Sequence, residues 1–405
     1  MTAWDIDRRR LIQGSLALSG LGLAGCTTMG PRRGFGRPNT VGLAADDIPP
    51  PLAPVRAHAD RLFDITVCLR PFRAKGPRIE TEQIGDTLVV HNYGHGGSGW
   101  SLSWGSANLA IQKALVNSPN QVAVIGCGVI GLTSAIMAQR AGCAVTIYAR
   151  DLLPQTRSAR ATGSWTPDSR ISLRDEAGPQ FGELWEQMAR FSFKTYRQYL
   201  GLPGTPVEWT DRYTLSDIPP EQARAEAEVQ KPGDLVFGQY SDRIADLTPR
   251  AQDLPEGATP FPVKYVSRSE SMQFNIADYG HTLMTDFFTA GGKFVRKEFH
   301  APHDLTQLKE KVVINCPGYA AREWWNDNSI VPVRGQIQWL IPQPEVNYGF
   351  YYNGVSILSR RDGIVVQDLN GGDMRGYNNS RELADRAEAD HAVGVIAELY
   401  SRFRV

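Results

Sequence analysis

Residues 121–151 read QVAVIGCGVIGLTSAIMAQRAGCAVTIYARD, and the apolar spacing changes twice inside this stretch. Residues 122–125 are an unbroken apolar run of strand length, and residues 144–148 (AVTIY) read as a second strand. Between them Leu132, Ala135, Ile136 and Ala138 give the apolar face of a helix. Strand, glycine turn, helix and strand make a βαβ dinucleotide unit. Gly126 permits the tight turn, Gly128 lets the backbone approach a pyrophosphate, and Gly131 lets the helix lie close to the strand. The helix start at Val129 and Ile130 then offers amide donors to an anion. A bare GxGxxG also occurs as a structural turn; the buried strand before it and the helix after it favour a nucleotide here. Near the end of the second strand, where an acidic residue is expected, the chain has Arg150 and then Asp151. Either Asp151 meets the ribose one position late, or Arg150 packs on the adenosine side.

Upstream, after a strand at 87–90, residues 91–105 read HNYGHGGSGWSLSWG and run into a helix at about 106–115. Five glycines in fifteen residues suit a backbone that passes close to a flat ligand with its amides aimed at it. Earlier still, residues 69–80 read LRPFRAKGPRIE. Taken alone, an arginine before a proline reads as a salt-bridged surface residue. Together the two strings resemble signatures of the D-amino-acid oxidase family. That resemblance implies FAD as cofactor, lying along Gly96, Gly97, Ser98, Gly99, Trp100 and Ser101, and it implies Arg70 as the arginine that holds the substrate carboxylate. A planar guanidinium can grip a carboxylate bidentately, for roughly 1.5–3 kcal/mol.

The resemblance continues downstream. Residues 147–152 and 161–167 are similar to the family's second strand and the loop that covers the flavin, which implicates Thr162, Gly163, Trp165 and Thr166. Residues 313–320 (VINCPGYA) are similar to the strand and turn that return to the cofactor at Gly318, and residues 331–336 (VPVRGQ) to the segment that follows. In the family the glycine-rich unit comes first and the other two strings last; here the order is reversed, so the chain reads as circularly permuted. Permutation is tolerated where domain termini are exposed and close together. The expected fold is α/β, with a Rossmann-like FAD-binding domain interleaved with an α+β substrate domain on a mixed or antiparallel sheet. Residues 62–117 are the permuted segment, 118–170 the FAD unit, 171–270 part of the substrate domain, 271–340 the return to the FAD domain, and 341–405 the rest of the substrate domain, with a helix at about 381–403.

The resemblance also implies a reaction on a small D-amino acid. Arg70 holds the carboxylate, the Gly97 carbonyl accepts a hydrogen bond from the amine, and hydride leaves Cα for the flavin. The imino acid hydrolyses to a 2-oxo acid and ammonia, and oxygen or another acceptor takes the electrons. Trp100, Tyr265 and Tyr279 are candidates for the pocket wall, with Phe274 beside them. Arg360, Arg361 and Arg375 are possible extra cations for an acidic substrate. His91 and His95 read as groups that position backbone. The rival readings are a glycine- or sarcosine-type amine oxidase, a D-amino-acid dehydrogenase, and a surface lipoprotein that binds a ligand without turnover.

At the other extreme of the chain, Arg8, Arg9 and Arg10 precede a glycine-rich apolar stretch, 11–24, too short for a comfortable membrane span. It resembles a twin-arginine export signal. Residues 23–26 (LAGC) resemble a lipobox, which implies lipidation of Cys26 and an exported, periplasmic or cell-envelope protein that meets the membrane through that anchor. Residues 27–61 lack apolar periodicity and read as a flexible tether. Lysine plus arginine and aspartate plus glutamate each number 43, and no run of like charge suggests a nucleic-acid partner. Cys68, Cys127, Cys143 and Cys316 have neither metal-ligand nor CxxC spacing.

Overall fold

The computed structural model describes residues 52–227 and 233–403. The expected export signal with Cys26, and the tether as far as residue 51, lie outside the described residues. In chain order the strands are β1 (Leu62–Arg73), β2 (Thr81–Ile84), β3 (Thr87–His91), β4 (Gln121–Ile125), β5 (Ala144–Ala149), β6 (Val207–Ser216), β7 (Gln252–Leu254), β8 (Tyr265–Phe274), β9 (Lys293–Arg296), β10 (Val312–Asn315), β11 (Ile330–Leu340), β12 (Tyr348–Tyr352), β13 (Val355–Arg360) and β14 (Gly363–Asp368). The helices are α1 (Gly99–Ala114), α2 (Val129–Arg140), α3 (Phe181–Tyr196), α4 (Pro220–Ala227), α5 (Ile276–Thr289), α6 (Ala321–Trp324) and α7 (Arg386–Ser401).

One sheet has the order β2-β3-β10-β4-β5-β9. Its strands run parallel except for β2, which pairs antiparallel with β3 at the edge. Val122, Ala123 and Val124 in β4 are fully buried because both faces of the sheet are covered, so after the exposed Gln121 the strand is apolar without alternation. Leu132 and Ala135 of α2 and Trp104 of α1 lie in the core on one face, while Leu305, Leu308 and Trp324 join Val89 and Val313 in the core on the other. From β4 the chain continues to its neighbour β5, whereas β10 arrives on the opposite side much later. The crevice beyond the carboxyl ends of β4 and β10 is therefore a topological switch point, where open α/β sheets bind ligands.

The second sheet has the order β1-β11-β14-β13-β12-β6-β8-β7. It is mixed, since β12 and β6 pair parallel and its other pairs are antiparallel. Val393, Ile396 and Leu399 of α7 pack in one core with Phe350, Ile357 and Ile364 of this sheet. The architecture is thus α/β, a Rossmann-like parallel sheet interleaved with a mixed sheet. Among the described residues no helix is long and apolar enough to cross a membrane.

Three boundaries differ from the sequence expectation. Helix α1 begins at Gly99, well before residue 106, and tolerates Gly105 because the backbone of Met188 in α3 packs there; a Cβ at Gly105 would overlap that carbonyl. Helix α7 begins at Arg386 instead of 381, after Asp385, whose side chain accepts from the Glu388 N–H at 3.2 Å as an N-cap. The tether does not extend to residue 61. Leu52, Val55 and Ala57 are buried, the Arg56 N–H donates to Gln343 Oε1 at 2.7 Å, and the Tyr348 hydroxyl donates to the Ala53 carbonyl at 2.6 Å. The apolar residues of this stretch bind it to the core beneath α7.

Candidate active site

A cavity of about 770 Å³ opens at the carboxyl ends of the parallel strands. Its wall is made by residues 126–131 after β4, 149–151 at the end of β5, 297–300 after β9, 316–320 after β10 and 92–97 after β3. Each strand delivers its following loop to the same crevice because all five run the same way.

The glycine turn admits no side chains. Gly126 sits at φ +95°, where a Cβ would overlap the Cys316 carbonyl, and a Cβ at Gly131 would overlap the carbonyl of Gly126. Helix α2 therefore starts directly against the turn, with Gly128 as N-cap. The Val129 N–H donates to the Ser158 hydroxyl at 3.1 Å, and the Ser158 carbonyl accepts from Trp100 Nε1 at 2.9 Å. Ser158 thus ties α1 to the start of α2.

A second turn joins three distant segments. Gly96, at φ +54°, donates its N–H to the Pro71 carbonyl at 2.9 Å, and Gly97 donates to the Ser169 carbonyl at 3.0 Å. A Cβ at Gly96 would overlap the Arg170 carbonyl. The end of β1, the glycine-rich loop and residues 169–170 consequently hold one another.

Arg70 stands on β1 opposite Val333. Its Nη1 donates to the Arg334 carbonyl at 3.3 Å, and among the described residues it forms no ion pair with a carboxylate. Gly335 makes room for it, since a Cβ there would overlap the guanidinium. The surface that Arg70 keeps is cavity surface, and this enclosure lowers its pKa below the usual arginine value, Cys68 and Asp373 acting in the opposite sense. His95 is buried, bonds to the Ser106 hydroxyl at 2.7 Å and has its pKa lowered to about 3 by burial. His91 is lowered to about 4, chiefly by burial and secondly by Arg78, and contacts Glu82 and Asn315. Both histidines are neutral at ordinary pH and act as fixed polar struts.

Of the residues singled out in the sequence, Arg70, Gly96, Gly97, Gly99, Trp100, Gly126, Gly128, Val129, Ile130, Gly131, Arg150, Asp151, Thr162 and Gly318 line the cavity. Arg150 and Asp151 pair with each other at 2.7 Å on its wall, so both ribose-side alternatives stay open. Ser98, Ser101, Gly163, Trp165 and Thr166 stand behind the wall. The Ser98 hydroxyl donates to the Ser169 carbonyl, Ser101 accepts from the Thr166 N–H, Gly163 accepts from the Phe274 N–H, and Trp165 packs on Phe193 and Tyr196. They hold the loops that the lining residues occupy.

Both tyrosines lie elsewhere. Tyr279 is fully buried in the aromatic core, where its hydroxyl accepts from Trp104 Nε1 at 2.7 Å. Tyr265 starts β8 beside the edge strand β7, with the Lys264 ammonium over its ring. Phe274 is core as well. Arg360 is held by Asp362 and the carbonyls of Ala161 and Thr162, Arg361 bonds to Thr205, and Arg375 pairs with Asp368 and Glu388. Sequence reasoning missed Ser158, Arg157 with its partner Glu382, and residues 297–300, which line this cavity, and Arg170, which lines a smaller one adjoining it at Arg70. None of these belongs to a glycine motif or an apolar period, so nothing local marks them.

A family profile described as FAD dependent oxidoreductase (DAO) matches residues 121–404. A D-amino-acid oxidase of Dictyostelium discoideum is 26% identical over 222 residues, 53% of this chain and 55% of that protein. One from Streptomyces coelicolor is 27% identical over 221 residues, 54% and 58% of the two chains. The match thus spans little more than half the length of these relatives. Among solved structures, glycine oxidase from Geobacillus kaustophilus aligns at 15% identity with a TM-score of 0.45, over 69% of this chain and 80% of that one.

Proposed function

This chain belongs to the FAD dependent oxidoreductase (DAO) family, and from that premise we propose that it binds FAD in the 770 Å³ cavity and oxidises the Cα–N bond of a D-amino acid. The walls fit the cofactor. Gly126 and Gly131 form a cradle that a Cβ would fill, and the start of α2 borders it with amide donors suited to a pyrophosphate. Gly318 at φ +60° keeps the opposite wall free of side chain. FAD, when bound, supplies the two-electron acceptor for hydride.

The protein's own contribution is positioning. Arg70 binds the substrate carboxylate, and the Gly97 carbonyl accepts from the amine, its peptide being fixed by the bond from the Ser98 N–H to the His95 carbonyl at 2.9 Å and the preceding peptide by the bond from the Gly97 N–H to Ser169. Orientation of this kind accounts for much of the rate in a reaction whose chemistry the cofactor carries. The amine releases its proton to water, since His91 and His95 already have hydrogen-bond partners and the pKa of each is depressed. The product imino acid hydrolyses to a 2-oxo acid and ammonia, and oxygen is the proposed final acceptor.

The observation that carries this reading is that Arg70, enclosed and without a carboxylate partner among the described residues, faces the same cavity as the glycine turn. Visible absorption spectra recorded anaerobically with D- and L-amino acids test it. Flavin bands that bleach with D-amino acids, ignore the L-forms and persist on addition of D-amino acids to Arg70→Ala support the assignment; a colourless protein, or a flavin that ignores every D-amino acid, overturns it. The order of the sequence motifs supports a circular permutation, and residues 8–26 support export with lipidation at Cys26, which intact mass of the membrane-extracted protein tests.

A further inference from the structure

A smaller cavity of about 300 Å³ meets the larger one at Arg70 and Gly335. Five arginines and three carboxylates line it. The carboxylates are committed: Glu388 binds Arg334 at 3.0 Å and Arg375 at 3.1 Å, Asp368 binds Arg375 at 2.9 Å, and Asp385 caps α7. That leaves three arginines: Arg381, which is exposed, Arg70, which has no ion pair among the described residues, and beside Arg70 the buried Arg170.

Arg170 is 8% exposed and sits at φ +48°, a left-handed conformation costly for a long side chain and held only where the surroundings enforce it. Its Nε and Nη2 donate to the carbonyls of Asp373 and Gly372, each at 2.8 Å, which uses two of the five N–H donors of an arginine. The nearest carboxylate is that of Asp373, 3.7 Å from Nε and itself part exposed. Bonding two turn carbonyls explains a donor at position 170 but not a second buried cation next to Arg70. Burial, and after it the charge of Arg70, lowers the Arg170 pKa to about 10. Two enclosed guanidinium groups facing one distant carboxylate are short of negative charge. The loop that carries Arg170 also anchors Gly97, so this cation is fixed relative to the place where the substrate amine is held.

We propose that Arg170 and Arg70 together bind a substrate with two carboxylates, Arg70 taking the α-carboxylate and Arg170 that of the side chain, which makes acidic D-amino acids the preferred class. This rests on the oxidation proposed above at the Arg70 site.

Calorimetric titration of the full-length holoprotein with succinate and with propionate, at one ionic strength, tests the pair without requiring turnover. Succinate is expected to bind at least tenfold more tightly, Arg170→Met to erase the difference, and Arg170→Lys to restore part of it. Asp373→Asn removes the resident carboxylate and is expected to widen the ratio; it supplies the test should Arg170→Met not fold. Equal affinity for the two acids, or a ratio that neither Arg170→Met nor Asp373→Asn moves, overturns the inference. Turnover separates this from the reaction itself. A protein that oxidises D-alanine without any dicarboxylate preference sinks the anion pair alone, whereas Arg170-dependent succinate binding with no D-amino-acid oxidation sinks the reaction alone.

Discussion

A methyl group at position 131 has nowhere to go, because the atom it would overlap is the backbone oxygen of Gly126, which cannot rotate away. Alanine would gain up to about 1 kcal/mol in helix propensity, but pushing the helix off the turn costs roughly 1–3 kcal/mol. Gly131→Ala should therefore lower the urea midpoint and, because the turn and α2 separate, release flavin on gel filtration; a variant as stable and as yellow as the parent contradicts the tight-turn account. His95 makes a pH prediction with a definite sign. Its pKa is near 3 when folded and about 6.5 when unfolded, so between those values the unfolded chain holds a proton that the native chain does not. Stability is complete above pH 6.5 and falls as the pH drops toward 3, His91 adding in the same direction. From pH 7 to pH 5 the loss from one such histidine is up to about 2 kcal/mol. Urea titrations at the two pH values should show a shallower dependence in His95→Gln than in the parent; equal slopes would mean that His95 is not the group that titrates.

Helix α7 covers the mixed sheet with Ala389, Ala392, Val393, Ile396 and Leu399, and Asp385 supports its first turn. Asp385→Ala should cost about 1 kcal/mol, read as a lower urea midpoint with an unchanged m-value; no change would show that packing alone fixes the helix start. What could be read in advance at this scale follows from range. β4, α2 and β5 were readable because their turn glycines and their change of period are local. The start of α1 was not, because glycine in a helix looks unfavourable until the contact that requires it, with Met188 of α3, is known. Tyr279 and Tyr265 stay no more than candidates in the sequence for a similar reason. An aromatic residue in sequence does not reveal whether its hydroxyl meets a pocket or a partner such as Trp104, 175 residues away. The string around Arg70 marks it as a candidate, but its setting depends on the β1–β11 register, which only long-range pairing determines. Arg170 carried no signal at all.

At the scale of the whole molecule the two sheets share segments in an order that chain continuity does not require. Within residues 62–117, β1 enters the mixed sheet, β2 and β3 enter the parallel one, and α1 packs beside α2. All of these contacts are with residues beyond 120 or within the segment, so the segment could follow the rest of the chain and occupy the same place. The geometry for such a rearrangement is favourable at both joins. The Tyr348 hydroxyl donates to the Ala53 carbonyl at 2.6 Å and lies 2.9 Å from the Tyr400 hydroxyl, which brings residues 53 and 400 to a single side chain. At the other join, Val116 is 75% exposed and Ser118 turns the chain at φ +45° between α1 and β4. A chain made of residues 119–403, a glycine-serine linker of about eight residues and then residues 52–117 has its new ends at that exposed turn, and the linker reaches roughly 15 Å on average. Loop-closure entropy changes only slowly with loop length, so the rearranged protein should unfold within about 2 kcal/mol of the parent. It should also bind flavin, with the same far-ultraviolet circular dichroism. A rearranged chain that stays unfolded and colourless would argue that the present order is needed for folding, and would count against circular permutation as the origin of this arrangement.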